Sequence, residues 1–280
     1  MEPRLPDTLR LLVSYALINI ASGNVVQRML DEGADVILDS GAFTAFSKGT
    51  PINLDGYMEY LHTLPKSRAL RYMALDVIGD PAATLLNYDV MRSNGLTPIP
   101  VVQRGASMAE AEHYAGTSSL VAFGGLVGRS QTYVMRQVQP YLPALGGTPF
   151  HLLGTTSAPL CSRLRPASVD ASSWDAAGRF GVFSMYCGGG RIKAISRADY
   201  TGPQRMAIAG YVQSLGYDPQ VLLKDSEWRG RNSLSSEISA RSWIEYGRDL
   251  QAHTGTTVYI ATVEARLGQV IKAWRNNNDG

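Results

Sequence analysis

Three aspartates and a glutamine hold comparable places in this chain, each closing or directly following a short apolar run. Asp39 closes VILD, Asp76 follows YMAL, Gln103 follows PVV and Asp170 closes ASVD. A carboxylate taken into a low-dielectric setting is costly and titrates away from its ordinary value, so several brought together point to a use. Two close carboxylates can serve as nucleophile and acid/base in displacement at a sugar C1 carbon. A third suits the N1–H and N2–H2 edge of a base such as guanine, and Gln103 can donate and accept at once. The turn Gly124-Gly125 lets backbone approach a flat ligand, and Phe43 offers a ring face for stacking. Taken singly, each feature also fits a helix cap, a tight turn or a core aromatic.

The elements that must position these groups follow from the hydrophobic pattern. Near-continuous apolar runs predict strands at 10–17, 36–43, 72–78, 97–103, 120–126, 150–155, 167–172 and 180–186, the pattern of a parallel sheet covered on both faces. Helix-compatible stretches lie between them at 24–32, 54–63, 81–94, 107–115 and 130–142, with start signals at Asn53 and at Asp80-Pro81. Eight strands alternating with helices predict an α/β fold of the (β/α)8 TIM-barrel type, whose working groups sit at the C-terminal strand ends. Beyond residue 200 the stretches 202–216, 233–252 and 262–275 read as a helical C-terminal elaboration. No linker marks a second domain, so residues 1–280 are expected to form one.

Composition narrows the classes. The 280 residues are 45% hydrophobic and 18% charged, a globular balance, and a net charge of +2 excludes a strongly basic nucleic-acid coat protein. The segment 163–205 is nonetheless locally basic, with Arg163, Arg165, Arg179, Arg191, Lys193, Arg197 and Arg205. Such a surface suits a phosphate backbone, or is simply a solvated face. Cys187-Gly188-Gly189-Gly190-Arg191 follows the run at 180–186, where barrels often bind phosphate. Cys161 and Cys187 form no CxxC pair, and His62, His113, His151 and His253 have no ligand spacing; neither a metal nor a cofactor is expected. No apolar run reaches the ~20 residues of a membrane span, which predicts a cytoplasmic protein with no membrane partner.

Six segments also carry a resemblance: DSGAF at 39–43, the strand end at Asp76, VVQ at 101–103, FGGL at 123–126, HLLG at 151–154 and VDASSW at 169–174. In their order and over about 36–190 they resemble the tRNA-guanine transglycosylase superfamily. Ala42 and Thr44 depart from that family's D-[ST]-G-G-F-Q motif. The resemblance implies that Asp170 is the nucleophile and Asp39 the general acid/base. It implies a base pocket of Ser40, Phe43, Asp76, Gln103, Gly124, Gly125 and Leu126. The reaction it implies is exchange of guanine for a 7-deazaguanine such as 7-cyano-7-deazaguanine, with a covalent intermediate. The family's tRNA enzymes carry a cysteine-rich zinc site that this chain lacks. Its compactness resembles the DpdA-type branch of bacteriophages and bacterial DNA-modification clusters. The implied polymer is therefore DNA, with tRNA the alternative, and Arg179, Arg191, Lys193 and Arg197 would face its backbone. A barrel glycosidase or isomerase for a small sugar, or a silent nucleic-acid-binding homologue, stays open, as does a homodimer or a separate partner protein.

Overall fold

The computed structural model describes residues 8–19, 24–175, 179–230 and 233–278. Its strands are β1 (Arg10–Ser14), β2 (Asp35–Asp39), β3 (Leu70–Tyr72), β4 (Val101–Val102), β5 (Val121–Phe123), β6 (Phe150–Leu152), β7 (Ser168–Ala171), β8 (Val182–Tyr186), β9 (Ile192–Ser196) and β10 (Thr257–Thr262). Eight form one sheet in the order β3-β2-β1-β10-β7-β6-β5-β4, parallel throughout. The sheet curls. Beyond its two edge strands Met73 bridges Ile99 in parallel, with Ile99 N–H donating to Tyr72 O and Ala74 N–H to Ile99 O, both at 2.8 Å. The fold is α/β and compatible with a TIM-like barrel.

Side-chain alternation explains why the strands read as continuous apolar runs. Leu12, Ile37, Met73, Ile99, Val101, Ala122 and Tyr259 meet in one cluster inside the curl. Their neighbours Leu11, Val13, Val36, Leu38, Val102, Val121, Phe123, Val258 and Ile260 point outward into the main core under the helices. Both faces exclude water, so both parities are apolar. Extending the inward parity to the C-terminal strand ends reaches Ser14, Asp39, Gln103, Gly124 and Asp170. The chain turns polar there because the interior opens.

The expected helices form at Val25–Asp31, Leu54–Thr63, Pro81–Ser93, Met108–Thr117 and Gln131–Val138. The Asn53 side chain accepts from Gly56 N–H at 2.8 Å and Asp80 from Ala83 N–H at 3.0 Å. Ser107 and Glu110 form a reciprocal capping box. Each such cap contributes about 1 kcal/mol.

Three expectations need correction. The run at 180–186 is not the eighth strand of the sheet: β8 pairs antiparallel with β9 in a separate hairpin. One side of it is buried in a satellite core of Phe183, Ile195, Tyr200, Ile208 and Trp228, and the other lies on the Leu234–Thr254 helix, where Trp243 Nε1–H donates to Ser184 Oγ at 3.1 Å and Tyr186 meets Tyr246 edge-on. The eighth place belongs to β10, between β1 and β7, in a stretch read as a gap between two helices. That part of the chain is therefore not purely helical: the Leu234–Thr254 helix leads into β10, and the Glu264–Asn278 helix follows it. The run at 36–43 also stops early, since β2 ends at Asp39 and Phe43 lies on the Ala42–Lys48 helix. Gly41 makes that turn at φ +84°, a left-handed conformation that glycine alone adopts without penalty.

Candidate active site

A cavity of about 340 Å3 opens at the C-terminal ends of the strands. Its walls include Ser14, Asp39, Phe43, Asp76, Gly124, Gly125, Leu153, Gly154, Asp170, Trp174 and Arg179. The three aspartates reach it from β2, from the segment after β3 and from β7, and each meets a different environment.

Asp39 ends β2, and its Oδ2 accepts from Gly41 N–H at 2.9 Å. Burial, and then the nearby charges of Asp76 and Asp170, push its carboxyl from 3.8 up to about 7, although the Gly41 amide and the Ser14 hydroxyl act the other way. At neutral pH the group is poised to give or take a proton, the property required of a general acid/base. Tyr57 packs behind it, its hydroxyl donating to Met73 O at 2.9 Å. Burial, with the charges of Asp39 and Asp76, holds that phenol far above its usual range, so it remains a donor.

Asp76 is braced from both sides. Ser40 Oγ donates to its Oδ1 at 3.0 Å and Gln103 Nε2 to its Oδ2 at 2.6 Å. Burial raises its carboxyl to about 6, and these two donors hold the value down. The group thus stays mostly ionised at neutral pH as a fixed acceptor. Gly124 is required beside it. A Cβ there would stand 2.7 Å from Gln103 Nε2 and 3.0 Å from Val101 Cγ1, displacing the amide that orients Asp76.

Asp170 is buried on β7, and its Oδ1 accepts from Gly154 N–H at 2.6 Å. His151 Nε2 lies 3.2 Å from the same oxygen. A carboxylate with one oxygen held by fixed donors is oriented for attack with the other.

The expected residues thus fall into three groups. Asp39, Phe43, Asp76, Gly124, Gly125, Asp170 and Arg179 line the cavity, Phe43 with 54% of its surface exposed. Ser40 and Gln103 stand just behind, bonded to Asp76. Leu126 does not face the cavity; its side chain is buried in the main core, because the Gly125 turn sends it outward.

The basic residues are not gathered at the mouth. Arg179 lies there, 3.7 Å from Asp175. Arg191 and Lys193 belong to the β8–β9 hairpin, where Lys193 Nζ donates to Gln204 Oε1 at 2.7 Å. Arg197 pairs with Asp225 at 2.6 Å. The glycine loop between these strands rests on the Ala158–Leu164 helix after β6, since a Cβ at Gly190 would come within 2.6 Å of Ala158 Cβ.

Three contributors escaped sequence reasoning: His151, the Gly154 amide and Arg266, which lines the cavity and pairs with Asp175 at 2.9 Å. A histidine inside the apolar run FHLL was a signal for the first. Placing it against Asp170 required the β6–β7 register. Among the described residues no three His, Cys, Asp or Glu side chains cluster as metal ligands, and no helix is long and apolar enough to cross a membrane. No family model matches the chain, and no curated protein matches it.

Proposed function

We propose that this chain is a base-exchange transglycosylase, built on a closed (β/α)8 barrel, that replaces guanine in DNA with a 7-deazaguanine. The observation that carries this reading is one cavity in which three carboxylates have separate environments, one near neutrality, one braced as an acceptor and one oriented by two partners, while the fourth, Asp175, is paired with Arg266. Its volume of about 340 Å3 falls within the ~300–1,000 Å3 of small-molecule pockets and suits a single nucleoside.

In this reading Asp170 attacks C1′ of the target nucleotide as the C1′–N9 bond breaks. Guanine leaves with that electron pair and takes a proton from Asp39. The incoming base then returns its N9 proton to Asp39 while N9 attacks C1′ and displaces Asp170, so two inversions give retention. Asp76 accepts hydrogen bonds from the base edge, and the Gly124-Gly125 turn lets backbone reach the ring. A glycosidase needs only two carboxylates, and Asp76, braced by Ser40 and Gln103 rather than neutralised by an arginine as Asp175 is, favours a base pocket over it. A stacked guanine lies out of reach of Asp170, so the target nucleotide must be flipped from the duplex. The exposed Phe43 ring at the mouth can stack on it.

The test is to trap the intermediate. The protein is mixed with guanine-containing DNA, and in parallel tRNA, without an incoming base, then denatured and separated. A covalent DNA adduct in the native protein that is lost in Asp170→Asn supports the reading. An adduct that survives the substitution moves the nucleophile elsewhere, and one formed on tRNA alone moves the polymer.

A further inference from the structure

The strand register places a second polar row behind the cavity. His151 in β6 pairs with Ser168 in β7, and its side chain turns to the inner face, fully buried. Nδ1 lies 2.8 Å from Ser168 Oγ, and Nε2 lies 3.2 Å from Asp170 Oδ1. Tyr259 covers the ring edge-on, with centroids 6.2 Å apart at 70°. Arg71 holds the far end of that tyrosine, its guanidinium donating to the hydroxyl. An imidazole engaged at both nitrogens has its tautomer and orientation set by its partners.

We infer that His151 is a positioning residue for Asp170, and that Oδ2 of Asp170 is the atom that attacks; this rests on Asp170 being the nucleophile. An ionised carboxylate only accepts hydrogen bonds, so Nε2 must carry a proton whichever charge the ring has. In the neutral ring Nδ1 then accepts from the Ser168 hydroxyl. Asp170 Oδ1 thus receives two donors, His151 Nε2–H and Gly154 N–H, the latter at 2.6 Å.

Among the described residues no hydrogen bond reaches Oδ2, while Asp170 itself lines the cavity. Two partners on one oxygen fix the orientation of the carboxylate and leave Oδ2 unencumbered on the side of the cavity. The Oδ2 electron pair is left to form the bond to C1′ as the C1′–N9 pair departs with guanine. His151 is not part of the cavity wall, so it acts only through Asp170. A histidine that merely filled the interior would affect stability and leave the chemical step alone.

Two variants and one spectrum separate those roles. His151→Leu removes the donor, whereas His151→Gln restores an N–H2 near the place of Nε2. Guanine release from DNA should fall about 10- to 100-fold in kcat for the leucine variant, the loss of one hydrogen bond to a charged group. KM should stay within about twofold, and the glutamine variant should recover most of the rate. A folded leucine variant with native kcat overturns the inference. Should the leucine variant fail to fold, Ser168→Ala takes its place: it unpins the ring and should lower kcat about 3- to 10-fold, and an unchanged kcat overturns the inference.

Nitrogen NMR of histidine-labelled native protein gives a readout independent of activity. A protonated Nε2 at pH 7.5 supports the arrangement, and an unprotonated Nε2 overturns it. If the native protein releases no guanine, the functional reading falls. The spectrum still decides the His151–Asp170 bond.

Discussion

Replacing Asp39 by asparagine should stabilise the chain, by an amount that depends on pH. The folded environment raises this carboxyl from 3.8 to about 7, chiefly by burial and then by the charges of Asp76 and Asp170. Below about pH 4 the group is protonated in both folded and unfolded chains, and folding carries no penalty from it. Between about pH 4 and 7 the unfolded chain has released the proton while the folded chain keeps it, so stability falls as pH rises. Above about pH 7 both forms are ionised, and the whole penalty stands at about 4 kcal/mol. Asparagine keeps the shape without the charge but accepts more weakly from Gly41 N–H, returning about 1 kcal/mol. The net gain should be near zero at pH 4 and about 2–4 kcal/mol at pH 8. Urea unfolding of both proteins at pH 4, 5.5, 7 and 8.5 measures it. A gain that does not change with pH, or a variant less stable at pH 8, would show that the buried Asp39 carboxyl carries no such penalty. The gain should also come with lost base exchange, the usual trade at a site strained for chemistry.

Two further substitutions probe the site's frame. Gly41→Ala would place a Cβ 2.4 Å from Ala16 Cβ and 2.8 Å from both Ala16 N and Ser14 Oγ, at φ +84°. It should cost about 3 kcal/mol of stability, and a urea midpoint unchanged from the native protein would contradict that. Gln103→Leu removes the donor 2.6 Å from Asp76 Oδ2. Asp76 should then titrate above its native value of about 6, read by carboxyl NMR. Stability at pH 8 should fall by about 1–3 kcal/mol; a native titration of Asp76 would show that Gln103 does not hold it.

The parity of the apolar runs made much of this legible. Leu12, Ile37, Val101 and Ala122 fill the inside of the curl, so the residues two steps further on sit at its open end: Ser14, Asp39 and Gly124 line the cavity, and Gln103 stands just behind, bonded to Asp76. The count of eight parallel strands also holds, with a different eighth member. Phe180–Tyr186 has the composition of a covered strand, and a hairpin held between a satellite core and the Leu234–Thr254 helix carries the same residues. Thr257–Thr262, rich in β-branched residues, was hidden between two longer helical patterns. The segment HLLG stands out in the sequence, but the roles of His151 and the Gly154 amide are not legible in it. Their roles lie in the register between β6 and β7, and no single stretch of sequence records that His151 stands opposite Ser168, within reach of Asp170. Leu126 shows the converse: a motif carries its neighbours with it, and the Gly125 turn sends this one into the core.

The most direct test of the central claim follows labelled guanine. DNA carrying labelled guanine is incubated with the protein and a set of 7-deazaguanine bases, with tRNA in a parallel reaction. Labelled guanine should be released from DNA with matching uptake of the 7-deazaguanine, and none with Asp170→Asn. No release from either polymer would contradict the central claim, and release from tRNA alone would contradict the assignment to DNA.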